Sequence, residues 1–262
     1  MSRLALAQPR SVRDALAVPW RRLPGLALGL AAALALLYLG ARETSVFAVR
    51  TIEVSGGPPS VREAVRAAAA PVAGESLAAL DGDALLADLE ALPSVRSATY
   101  DRAFPTTLRI FVQPEHPVAV VHVGPDSWIL SERGRVIRSV PADTDGRLPE
   151  FRLPDGPALR PGAVVTDPTT RLVLDALTVV PRPFPARISS VRLDSGILTL
   201  GLQAEWGEPE LRLGDPVDIE AKLAVAALVL RSLTADEEAS AGYIDVSVPE
   251  RTVVGPKPQP EG

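Results

Sequence analysis

Residues 91–120 of this 262-residue chain read ALPSVRSATYDRAFPTTLRIFVQPEHPVAV. Within them TTLRIFVQ alternates with a period of two, putting Leu108, Ile110 and Val112 on one face and Thr107, Arg109 and Phe111 on the other. That is the pattern of a strand buried on one side only. Residues 95–100 read as another extended segment, because Pro93 stops the helical pattern before it. In that pattern Leu85, Leu89 and Leu92 recur at i, i+4 and i+7 behind Asp81 as N-cap, and further upstream Val61, Val65, Ala68 and Val72 mark one face of an earlier helix. VRTIEVSG at 49–56 is a short strand ending in turn residues. The order strand, helix, helix, strand, strand predicts a small α+β domain over 47–115, with its helices on one side of a three-stranded sheet.

Beyond it, residues 116–248 are predicted to form a β-rich domain with two helices. GRVI, ILTLGL and ELRL have extended character, and the Pro/Gly-rich stretch 141–162 reads as a long surface connection. One helix is expected near 169–180 and another from about 216 to 233, where Ile219, Leu223, Ala226, Leu230 and Leu233 keep a 3.6 period behind Asp215-Pro216. GYIDVSV then alternates Ile244, Val246 and Val248 against Tyr243, Asp245 and Ser247. Residues 249–262 are expected to hold the end of this strand and a disordered, Pro-rich tail.

Toward the N-terminus, LPGLALGLAAALALLYLGA at 23–41 carries no charge and spans roughly 28 Å as a helix, near the ~30 Å thickness of membrane hydrocarbon. Arg3, Arg10, Arg13, Arg21 and Arg22 against a single Asp14 predict that residues 1–22 stay in the cytoplasm and that everything after 41 is extracytoplasmic. A cleaved signal peptide fits less well, since the run is longer than a usual h-region and Leu39-Gly40-Ala41 is a poor cleavage site. The absence of cysteine agrees with an exported domain held by core burial rather than disulfides. A balance of 27 basic and 32 acidic residues, with no basic cluster outside the tail, excludes nucleic acid as a partner class.

The runs VRTIEVSGG and ALPSVRSATYDRAFPTTLRIFVQPEHPVAV resemble the FtsQ/DivIB family of bacterial cell-division proteins. The family's strand-ending glycine falls on Gly56, its entry to the next strand on Pro93 and Val95, its aromatic-Pro turn on Phe104, Pro105 and Leu108, and its exit on Pro117 and Ala119. SERGRVI, LPEF at 148, VRLDSGILTLGL, LRLGD, the Lys222 helix and AGYIDVSVPERTVV follow in the family's order. The resemblance implies a single-pass cell-membrane protein with a POTRA domain and a β-domain, concentrated at the division septum. It implies no enzymatic activity, cofactor, metal or small-molecule substrate. Its implied partners are division proteins of the FtsB and FtsL type and, through them, the septal synthase pair FtsW and FtsI.

The expected docking site is an unpaired edge strand over 243–254, formed by Tyr243, Ile244, Asp245, Val246, Ser247, Val248, Arg251, Val253 and Val254. Two departures from the family pattern stand out. Pro114-Glu115-His116 replaces an acidic–basic pair before the Pro-Val-Ala exit, and the aromatic anchors some members carry after the last strand are replaced by Val248, Val254 and Pro256.

Catalytic motifs are absent: there is no H-E-x-x-H, G-x-S-x-G, P-loop or G-x-G-x-x-G pattern. His116 and His122, six positions apart in an extended segment, would stand roughly 20 Å apart, too far to share a zinc ion. Sequence spacing leaves a carboxylate-pair glycosidase open. The alternatives to a division scaffold are therefore another POTRA-containing extracytoplasmic binding module and, less favoured, a membrane-tethered cell-wall enzyme.

Overall fold

The structure, a computed structural model, describes residues 28–33, 40, 45–141, 146–154 and 156–257. Residues 1–22, expected to be a cytoplasmic tail, most of the 23–41 segment expected to cross the membrane, and residues 258–262 of the expected tail lie outside them. Residues 28–33 and 40 are helical. Among the described residues, no helix is long and apolar enough to cross a membrane. The chain forms two compact units, one of Met1–Glu53, Ala70–Asp81 and Asp101–Arg109, the other of Val54–Ala69, Gly82–Tyr100 and Ile110–Gly262.

The strand–helix–helix–strand–strand order read from the sequence is present as β1 (Thr51–Ser55), α1 (Pro59–Ala69), α2 (Gly82–Ala91), β2 (Val95–Ala103) and β3 (Thr107–Pro114), with the strands in the order β1-β3-β2. Leu108, Ile110 and Val112 are buried as the alternation requires, while Phe111 is exposed. The buried stripe of α1 is Val61, Val65 and Ala69 rather than one continuing through Ala68 and Val72, because the chain leaves the α-helix at Ala69 for a 3-10 turn over Ala70–Val72. Gly56 ends β1 at φ 90°, where a Cβ would lie 2.2 Å from the Val112 carbonyl oxygen, so only glycine fits.

The rest of the chain builds a nine-stranded sheet in the order β12-β11-β10-β9-β8-β7-β4-β5-β6. Its strands are β4 (Pro117–Val123), β5 (Asp126–Ser131), β6 (Val136–Val140), β7 (Glu150–Arg152), β8 (Arg187–Asp194), β9 (Ile197–Gln203), β10 (Glu210–Gly214), β11 (Ala241–Asp245) and β12 (Val253–Pro256), with helices α3 (Pro168–Thr178), α4 (Ile219–Ser232) and α5 (Ala235–Ser240). Val173, Leu174 and Leu177 of α3 and Leu223, Ala226 and Leu230 of α4 share one core with Val121, Val191, Leu200, Leu211 and Ile244 from the sheet. A smaller cluster, Val120, Ile129 and Val140, comes from the alternate positions of β4, β5 and β6.

Local chemistry explains the helix ends. Asp167 caps α3 by accepting the Thr170 N–H at 2.7 Å ahead of Pro168. The expected start of α4 at Asp215-Pro216 is displaced to Ile219: Asp215 is committed instead to the buried Lys222 ammonium, which also donates to the Asp215 carbonyl at 2.8 Å. α4 and α5 together form the crossover that a parallel β10–β11 pair requires. β7 is a seam of three residues, parallel to β4 on one side and joined to β8 through the single pair Glu150 and Ser190 on the other.

The candidate interaction edge

The segment expected to be one edge strand is two strands joined by a turn. Asp245 accepts the Ser247 N–H at 2.9 Å and the Ser247 hydroxyl at 2.6 Å, which bends the chain, and Pro249–Arg251 then forms a 3-10 turn that reverses it. β11 therefore runs inside the sheet, parallel to β10 and antiparallel to β12, and β12 is the edge. Tyr243, Ile244 and Asp245 belong to the interior strand, Val246, Ser247, Val248 and Arg251 to the connection, and only Val253 and Val254 to the edge itself.

Their side chains divide between the core and solvent. Ile244 and Val246 are fully buried and Val254 packs against the same core, whereas Val248 and Val253 are exposed, the latter by 46%. On the open face the Tyr243 ring lies under the Arg212 guanidinium, 3.9 Å from its centre, and Arg212 and Arg192 both pair with Glu210. The ring occupies the space over Gly255, where a Cβ would fall within 2.2–2.4 Å of its atoms.

The backbone of β12 has a parity. The Lys257 N–H donates to the Ser240 carbonyl at 3.1 Å. N–H and C=O directions alternate along a strand, and the irregularity of this pair falls on β11, between Ala241 and Tyr243. Val253 and Gly255 thus turn their backbone groups toward β11, and Val254 and Pro256 turn theirs outward. Val254 supplies an outward N–H and C=O, and Pro256 only a C=O, so the edge offers a short ladder centred on Val254. Ahead of it, α5 carries a capping box in which Glu237 accepts the Thr234 N–H at 2.8 Å. The Thr234 backbone and hydroxyl hold the Glu237 carboxyl below its usual pKa.

The family-motif residues take structural positions: Val95, Leu108 and Ala119 are buried, Pro93 follows α2, Phe104 and Pro105 form the β2–β3 turn, and Pro117 opens β4. Three features around them were missed by sequence reasoning. His122 sits between the Ser127 hydroxyl at 2.9 Å from Nδ1 and a Glu150 oxygen at 3.0 Å from Nε2. The Ser127 residue is only 4% exposed, so its hydroxyl has no path to a substrate. The Gly124-Pro125 turn was the available signal, since it sets Ser127 opposite His122; Glu150 is remote in sequence and had none. Glu115, its side chain only 1% exposed, pairs with Arg133 from the β5–β6 turn. From the same turn Arg135 donates to the carbonyls of Glu90, Ala91 and Leu92 at 2.8–3.3 Å, satisfying the C-terminal end of α2.

Among the described residues, no group of three or more histidine and carboxylate side chains is placed to hold a metal ion. Residues 47–114 match the family model described as POTRA domain, FtsQ-type. The chain is also 33% identical over 169 residues to the cell division protein FtsQ of Mycolicibacterium smegmatis, a match covering 63% of this chain and 48% of that protein. The chain spans about half the length of this curated relative.

Proposed function

Because this chain belongs to the FtsQ/DivIB family of bacterial division proteins, we propose that it is a non-catalytic scaffold of the division septum, held in the cell membrane by residues 23–41. In this reading residues 47–115 are the POTRA domain and 116–248 the β-domain, and β12 receives a strand from a partner of the FtsB or FtsL type. Through that partner the scaffold influences the FtsW and FtsI synthase pair.

The observation that carries the docking mode is the one-sided pairing of β12, with the Val254 backbone directed outward beside the exposed Val253 and Val248. An added strand gains its affinity from main-chain bonds and its specificity from alternate side chains. Here the nearby side chains are aliphatic or charged, with Arg251 and Lys257 flanking the valines. That favours an apolar partner segment bearing carboxylates at its ends.

Depletion of the protein in its own cell, with a fluorescent fusion followed by microscopy, tests the role. Filamentous cells and midcell fluorescence support it. Normal division with uniform membrane fluorescence refutes it.

A further inference from the structure

We propose that Val46, Phe47 and Phe104 form an apolar foot that rests in the interface of the lipid bilayer. The inference depends on the reading of residues 23–41 as a membrane anchor. Phe47 and Phe104 meet edge to face, their ring centroids 5.5 Å apart and their planes at 88°. Phe104 is nevertheless 56% exposed and Val46 beside the pair is 58% exposed. Phe47 is half-buried beneath them, and two adjacent apolar side chains this open to water gain by burial in the headgroup–acyl boundary, where Phe and aliphatic groups insert.

The bilayer is favoured as occupant by the short chain between the foot and the expected anchor, which keeps the foot within reach of the headgroup zone. Phe47 is held to the unit by its carbonyl, which accepts the Leu77 N–H at 2.8 Å. Val49 then donates to Glu75 at 2.8 Å and accepts from Gly74 at 2.9 Å. Phe47 is thus fixed six residues after Ala41, a separation of at most about 20 Å even when fully extended. The headgroup zone itself is about 5–8 Å deep on each side of the hydrocarbon.

The Arg50 N–H donates to the Thr106 carbonyl in the Phe104 turn at 2.9 Å, and its side chain is exposed. A cation at this point complements lipid phosphate. The foot would keep the first unit down on the membrane by apolar contact at a second point besides the covalent tether.

The test uses the full chain in nanodiscs containing a gadolinium-bearing lipid headgroup, with fluorotryptophan incorporated and Phe104→Trp added. Native tryptophans serve as controls: Trp20 borders the apolar run, and Trp128 and Trp206 belong to the nine-stranded sheet region. Fluorine resonances of Trp20 and of the residue at 104 broadened together, relative to Trp128 and Trp206, are the expected result. Broadening of Trp20 alone overturns the foot and leaves the anchor reading intact. Broadening of neither overturns both. Val46→Trp repeats the measurement without altering the ring pair.

Discussion

Proline at two adjacent positions of β12 should give opposite results. At Val253 the N–H points toward Asp245 of β11, so Val253→Pro removes a ladder bond and drives the ring Cδ into the neighbouring strand. One lost bond with its acceptor left unpaired, plus the steric displacement, amounts to about 2–4 kcal/mol. For a domain of this size that lowers Tm by roughly 5–15 °C. At Val254 the N–H points outward, so Val254→Pro leaves every intramolecular backbone bond in place and loses only part of one half-buried side chain, which costs under about 1 kcal/mol. Its effect falls on docking: a missing main-chain bond and a ring projecting into the partner's path weaken Kd about tenfold or more. Thermal unfolding of both variants, and titration with an extracytoplasmic fragment of an FtsB-type protein, read the two quantities separately. Equal destabilisation by the two prolines would refute the backbone parity. Two stable variants that bind like the parent would refute β12 as the interface.

Three further outcomes are expected. Arg133→Ala strands the buried Glu115 carboxylate and should cost about 2–3 kcal/mol, most of it recovered when Glu115→Gln is added, as a urea-unfolding double-mutant cycle would measure. Gly255→Val should displace the Tyr243 ring from under Arg212 and cost about 1–3 kcal/mol, seen as a lower Tm with changed tyrosine fluorescence. The lowered pKa of Glu237 means its cap supports α5 fully above the ordinary carboxylate range and loses that support as pH falls through the lowered folded value. Amide exchange at 235–240 should therefore speed up on acidification, and should be independent of pH in Glu237→Gln once corrected for intrinsic rates.

Strong periodicity made the first half legible. Leu108, Ile110 and Val112 announce β3 because alternate burial leaves a period-two trace, and Leu85 and Leu89 do the same for α2 at helical spacing. Short or two-sided elements leave no such trace. β7 has three residues, too few for any period, and its partners β4 and β8 are distant in sequence.

The difference at the edge has a local cause. Ile244, Val246 and Val248 alternate smoothly in sequence, yet the bond from Ser247 to Asp245 breaks the strand after Asp245 and frees Val248 to solvent. Pro249 was the readable warning. The capping box Thr234-x-x-Glu237 is equally readable as the start of α5, although no apolar stripe follows it. Glu115 pairs not with its neighbour His116 but with Arg133, a pairing that only the returning β5–β6 turn creates.

The three-residue β7 gives the nine-stranded sheet a line of weakness. Strands β8 and β9 are zipped along seven residue pairs, but β7 meets β8 at one, so two well-stitched plates hang together at a single perforation. A pull arriving through β12 is carried by the ladders from β11 to β8 as one rigid piece and reaches β4, β5 and β6 only across that perforation or through the helices beneath. Load applied at the edge therefore reaches the far strands mainly through the shared core of α3 and α4, with Glu150 and Ser190 as the sheet's one direct link there.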